Sequence, residues 1–186
     1  MNTPYEKVMS GNPGEIREYR KKICLLGEYA VGKTSLVRRY VNDVFDDLYI
    51  LTIGVKVTSK EVLLKDKGAK FTFAIWDIGG HLDPTDVPET YYINTAGAIL
   101  VCDATRRETL DKCRDWVQML YGQNSPEDVA IIIAANKSDL ERTFGDDELK
   151  KVAKELNAKF FYTSAKNGEN VEKSFFALAQ AVLEKI

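Results

Sequence analysis

One histidine, three cysteines and no long apolar run are conspicuous shortages in a chain of 186 residues. With His81 as the sole histidine and no cysteine pair at metal-ligand spacing, a Cys/His zinc site lacks ligands. Cys24 and Cys102 sit inside the apolar runs Ile23-Cys24-Leu25-Leu26 and Ile99-Leu100-Val101-Cys102, which suits buried reduced thiols. No apolar stretch reaches the roughly 20 residues that span a bilayer, and no secretory apolar segment precedes the first strand. The expected compartment is the cytoplasm. An excess of one charge is missing too: 26 basic against 28 acidic residues leave a formal charge of -2. No strong field would draw this chain onto nucleic acid or an anionic membrane. Internal repeats and low-complexity tracts are also absent.

What is present fits one domain, whose length buries a sizeable core. Residues 1–20 mix Pro, Gly, Asn and charge with few large apolar residues and read as an N-terminal extension, leaving 21–186 as the domain. From there strand-like runs alternate with amphipathic helical stretches, the pattern of a three-layer α/β domain around a mostly parallel sheet. Strands are expected at Lys22 to Leu26, Gly54 to Leu64, Phe71 to Trp76, Ala98 to Cys102, Val129 to Ala134 and Lys159 to Tyr162. Helices are expected at Lys33 to Val41, Glu108 to Leu120, Asp146 to Leu156 and Val171 to Ile186. The Lys65-Asp66-Lys67-Gly68 turn suggests a hairpin, hence one antiparallel edge strand.

Between the first strand and first helix lies Gly27-Glu28-Tyr29-Ala30-Val31-Gly32-Lys33-Thr34, which fits G-x-x-x-x-G-K-[ST] in the setting that motif requires. Its glycines let backbone N–H groups curl around phosphate oxygens, and the helix N-terminus adds partial positive charge. Lys33 would reach the β- and γ-phosphates, and the Thr34 hydroxyl would bind Mg²⁺, with Tyr29, Ala30, Val31 and Ser35 completing the phosphate loop. The bland alternative is a chance Gly-rich turn.

A phosphate loop leaves the base undecided. Asp77-Ile78-Gly79-Gly80 has the form D-x-x-G, in which Asp77 could hold Mg²⁺ and the Gly80 N–H could meet a γ-phosphate; alone this motif is weak. Asn136-Lys137-Ser138-Asp139 and Thr163-Ser164-Ala165-Lys166 follow two strands at their carboxyl ends, where open α/β sheets bind ligands. A carboxylate at Asp139 can accept from both the N1–H and N2 amino group of guanine. Adenine offers no such donor pair.

In this order the motifs G-x-x-x-x-G-K-T, T, D-x-x-G, N-K-x-D and S-A-K resemble the Ras-like small GTPases over about residues 21–186. The resemblance implies a six-stranded, mostly parallel G domain of the P-loop NTPase type, with helices on both faces. It implies that Asn136 contacts the base, that Lys137 lies along its face, and that the Ala165 N–H meets guanine O6, flanked by Ser164 and Lys166. It makes Thr52 the switch I threonine that binds Mg²⁺ and senses the γ-phosphate, with Phe45 and Tyr49 as covering aromatics. Alone, Thr52 would read as solvated surface and Phe45 as core. Thr52-Ile53-Gly54-Val55, Tyr91-Tyr92, Asp103-Ala104-Thr105 and Trp116 look like Rab proteins. The Gly79-Gly80 pair looks more like Arf proteins.

Three departures matter. Position 81 usually carries Gln, whose amide orients the attacking water; His81 could still position water, as the D-x-x-G-H of translational GTPases suggests by analogy, or could be merely solvated. Tyr29 stands where a small residue is usual and would crowd an arginine finger, or would simply point into solvent. Finally, Met1-Asn2 and the closing Leu183-Glu184-Lys185-Ile186 show no usual lipid-anchor signal, so either the protein works unanchored or a lipidated tail has been removed.

The resemblance therefore implies a monomeric GTP/GDP switch with Mg²⁺, catalytic roles for Lys33, Gly80 and His81, and slow hydrolysis without an activator. Effector, exchange and activating proteins would meet it at switch I (about 43–53) and switch II (about 78–92). A nucleotide-loaded scaffold that hardly turns over is the competing reading. A P-loop metabolite kinase fits the phosphate loop but has no use for the guanine-reading loop.

Overall fold

The computed structural model describes residues 16–46, 51–80 and 83–186. Six strands, β1 (Arg17–Leu26), β2 (Val55–Leu64), β3 (Ala69–Ile78), β4 (Thr95–Asp103), β5 (Ala130–Asn136) and β6 (Lys159–Tyr162), form one sheet ordered β2-β3-β1-β4-β5-β6. All neighbours pair in parallel except β2 with β3. That hairpin turns through a 3-10 segment, Lys65–Lys67, closed by Gly68 at φ 56°, whose N–H donates to the Lys65 carbonyl. The expected antiparallel edge strand is therefore β2.

Alternation along the strands divides the core between two faces. Ile23 and Leu25 of β1 face one side, with Phe71, Phe73, Ile99 and Ile132, and are covered by α1 (Lys33–Asn42) and α5 (Val171–Leu183). Cys24 and Leu26 face the other, with Leu100, Cys102 and Ile133, beneath α2 (Arg107–Asp111), α3 (Cys113–Gln123) and α4 (Asp146–Glu155). Cys24, Cys102 and Cys113 are free and buried, as expected of reduced thiols. Burial pushes the Cys24 thiol up to about 11.

Several boundaries differ from expectation. β1 starts at Arg17, inside the segment read as an extension, because Arg17 to Lys21 pair with β3 alone; β4 joins only at Lys22. With one sheet neighbour and largely solvent-facing side chains, Arg17-Glu18-Tyr19-Arg20-Lys21 carries the polarity of a loop while forming a strand. β3 runs to Ile78, so Asp77 is the penultimate residue of the strand instead of following it. The single helix expected over Glu108 to Leu120 is two segments meeting at Lys112. The last helix stops at Leu183.

Candidate functional site

The parallel strands deliver their carboxyl-end loops to one rim of the sheet, around a cleft of about 280 Å³. Tyr29, Ala30, Gly32, Lys33, Thr34 and Ser35 line it from the phosphate loop, and Asn136, Lys137, Asp139, Ala165 and Lys166 from the opposite side. Phe45, Thr52 and Gly80 also reach it, with Phe45 half-buried against the α1/α5 core as well. Arg38, Asp46, Leu51 and Leu140 join the lining without having been singled out; no motif marks them. Gly27, Val31, Asp77 and Ser164 stand behind the lining. Tyr49 and His81 lie outside the described residues.

The loop from Gly27 to Thr34 carries backbone strain at two positions. Ala30, a non-glycine residue, holds φ 59°, and Gly32 holds φ 97°. A side chain at Gly32 would collide with Asn136 Nδ2 as well as suffer that backbone angle. Helix α1 then begins at Lys33 with no side-chain cap and no acidic residue in its first turn, so its first N–H groups can face an anion. Gly80 approaches so closely that an added Cβ would meet Lys33 Nζ and the Glu28 carbonyl. Lys33 donates to the Gly27 carbonyl at 2.6 Å and the Glu28 carbonyl at 2.9 Å. Burial lowers its ammonium to about 8, against the opposing pull of Asp77. The Glu28 carboxylate in turn accepts from the buried Trp116 indole N–H at 3.3 Å.

Thr34 Oγ1 lies 2.6 Å from both Thr52 Oγ1 and Asp77 Oδ2. Asp77 Oδ1 is buried without a hydrogen-bond partner, and burial raises its carboxyl above the usual range despite the Thr34 hydrogen bond and the Lys33 charge. Three hard oxygens gathered on one point, one carboxylate oxygen still unmatched, form a donor set that fits Mg²⁺.

On the opposite side Ser164 Oγ donates to Asp139 Oδ1 at 2.6 Å, fixing the carboxylate. Asn136, expected at the base, is 2 % exposed and strung between loops. Its Nδ2 donates to the Val31 carbonyl at 2.9 Å, and its Oδ1 accepts from the Ala165 N–H at 3.2 Å and from Thr163. It binds the phosphate loop to the base loop, and the Ala165 N–H expected at guanine O6 is engaged with it. Lys137 Nζ contacts Asp103 Oδ2 at 2.6 Å. Asp103 was noticed only as part of a family signature, yet it is 1 % exposed and anchors both Lys137 and Arg106.

A model of the Ras family matches residues 22–184. The chain is 37 % identical over 171 residues to the GTP-binding protein ypt5 of Schizosaccharomyces pombe, covering 90 % of this chain and 80 % of that protein. It is 33 % identical over 183 residues to the Ras-related protein SEC4 of Saccharomyces cerevisiae, covering 97 % and 84 %. With the Ras-related protein Rab-21 of Mus musculus it shares 36 % over 170 residues, covering 90 % and 75 %.

Proposed function

Because this chain belongs to the Ras family, as a Rab-like small GTPase that hydrolyses GTP, we propose that it works as a GTP/GDP switch whose cleft takes Mg-GTP and turns it over slowly without an activator. The observation that carries this reading is the meeting of Lys33, the Thr34–Thr52–Asp77 oxygens and the Ser164-braced Asp139 in one cleft.

Asp139 accepts from guanine N1–H and N2, and Ser164 keeps its carboxylate turned for that pairing. Guanine O6 competes with Asn136 Oδ1 for the Ala165 N–H, while Asn136 keeps the two loops in register. Lys137, held by Asp103, borders the base. On the other side Lys33 exchanges its two loop carbonyls for phosphate oxygens, and the uncapped start of α1 supplies N–H donors. Thr34, Thr52 and Asp77 would hold Mg²⁺. When bound, that ion neutralises charge on the β- and γ-phosphates. Gly80 leaves the Lys33 ammonium uncovered and offers its N–H to the γ-phosphate, while His81 orients the attacking water.

Thr52 and Gly80 belong to the two segments that would read the γ-phosphate, so segments 43–53 and 78–92 form the surface for effector, exchange and activating proteins. Tyr29 lines the cleft and is 47 % exposed, placing a ring where an arginine finger would enter. Weak response to activators of that type follows. Among the described residues no helix is long and apolar enough to cross a membrane; work in the cytoplasm as a monomer remains part of this proposal.

The test is chromatography of nucleotide released from purified protein, repeated over time after GTP loading. Guanine nucleotide decaying slowly from GTP to GDP is expected; adenine nucleotide would overturn the base assignment. GTP that never decays, even with an activator present, would favour the scaffold reading. In single turnover, His81→Ala should slow hydrolysis; a wild-type rate with and without activator removes His81 from the mechanism.

A further inference from the structure

Arg106 lies outside every motif described above, yet it touches the phosphate loop from behind. Its Nη2 donates to the Tyr29 carbonyl at 2.7 Å, and its Nε donates to Asp103 Oδ2 at 3.2 Å. Asp103 is almost wholly buried at the end of β4, and its Oδ1 accepts from the Thr105 N–H at 2.9 Å and hydroxyl at 2.7 Å. Burial alone would raise this carboxyl, but the Lys137 and Thr105 hydrogen bonds outweigh it and hold the group ionised. Arg106 is thus aimed by a fixed anion, which itself also holds the base-loop lysine.

The consequence lies in the peptide unit between Tyr29 and Ala30. No peptide bond among the described residues is cis, and in a trans unit the C=O and N–H point in opposite directions. Tyr29 and Ala30 line the cleft, whereas Arg106 does not. A guanidinium that draws the Tyr29 carbonyl outward therefore turns the Ala30 N–H toward the cleft. It also sustains the left-handed conformation of Ala30, which a non-glycine residue adopts only under constraint.

We propose that Arg106, braced by Asp103, is a positioning residue that turns the Ala30 N–H toward the nucleotide phosphates and so slows nucleotide release. This inference rests on the nucleotide-switch reading and adds a residue to it. Arg106 meets the nucleotide only through the backbone it orients.

The test measures release of N-methylanthraniloyl-GDP by stopped flow from the full chain, with folding checked by thermal melting. Arg106→Ala and Arg106→Gln should release it about tenfold faster, the effect of losing one charge-assisted hydrogen bond. Arg106→Lys, which cannot serve both partners equally well, should fall between. In Asp103→Asn with Arg106→Gln, the acceleration should be less than the product of the two single effects. Guanosine, which lacks phosphates, should bind Arg106→Gln as it binds the wild type. A wild-type release rate in Arg106→Gln, or equal losses for guanosine and GDP, would overturn the proposal; the latter would make Arg106 a general prop. Failure of the wild-type protein to bind the GDP probe at all would instead overturn the nucleotide-site reading beneath it.

Discussion

The two halves of the cleft are held in opposite electrostatic conditions. On the base side the polar groups satisfy one another: Asp139 has Ser164, and Asn136 spans Val31 and Ala165. On the phosphate side the charges are poorly matched. Lys33 rests on carbonyls of its own loop with its ammonium weakened by burial, while Asp77 keeps one buried oxygen without a partner. The base half is preorganised and needs shape from its ligand. The phosphate half needs charge, which a metal-bound polyphosphate would supply under the proposed function. Loss of a group should therefore weaken affinity most on the phosphate side and selectivity most on the base side.

Lys33→Ala probes the larger effect. Two charge-assisted hydrogen bonds of about 1.5–3 kcal/mol each lapse together, so GDP affinity should fall on the order of a hundredfold or more, measured by titration calorimetry. A loss below tenfold would erase the contrast between the halves. Asp139→Ala removes both acceptors for the guanine edge and should reduce the preference for GDP over ADP by about a hundredfold, read by competition against a fluorescent nucleotide. Unchanged preference would move base selection elsewhere.

Acidity sharpens the comparison further. The nucleotide-free protein carries Lys33 charged below about 8, and bound polyphosphate favours that charged form. Above pH 8 binding has to take up a proton, so GDP affinity should be flat below 8 and then fall, approaching tenfold per unit. Calorimetry at pH 7, 8 and 9 in buffers of different ionisation enthalpy would show the uptake. The smallest change is expected from Ser164→Ala. It removes one hydrogen bond to a carboxylate that stays in place, and about 1 kcal/mol, or fivefold in GDP affinity, follows.

Sequence legibility follows the same division. Motif residues whose role is local were readable at once: Lys33, Thr34, Gly80 and Asp139 all line the cleft. How a residue braces a distant loop is less legible. Asn136, whose expected place is at the base, also ties two loops together through backbone atoms 105 and 29 residues away in sequence. Arg106 left no signal, since a surface arginine after a strand is ordinary until the Tyr29 carbonyl, 77 residues distant, is seen beside it. In the fold, apolar runs located all six strands, with several ends displaced by one to three residues and the largest shortfall at the start of β1. There Arg17 to Lys21 pair on one edge and stay polar.

The bond between the Trp116 indole and Glu28 gives the protein a built-in optical probe. The chain has two tryptophans, and this one is buried in the α3 face while its N–H contacts the second residue of the phosphate loop. Indole emission responds to nearby charge, so any shift of that loop, on loading, turnover or release, will be written into the intrinsic fluorescence of Trp116. The proposed nucleotide binding and release would then be followed with no label on either protein or ligand.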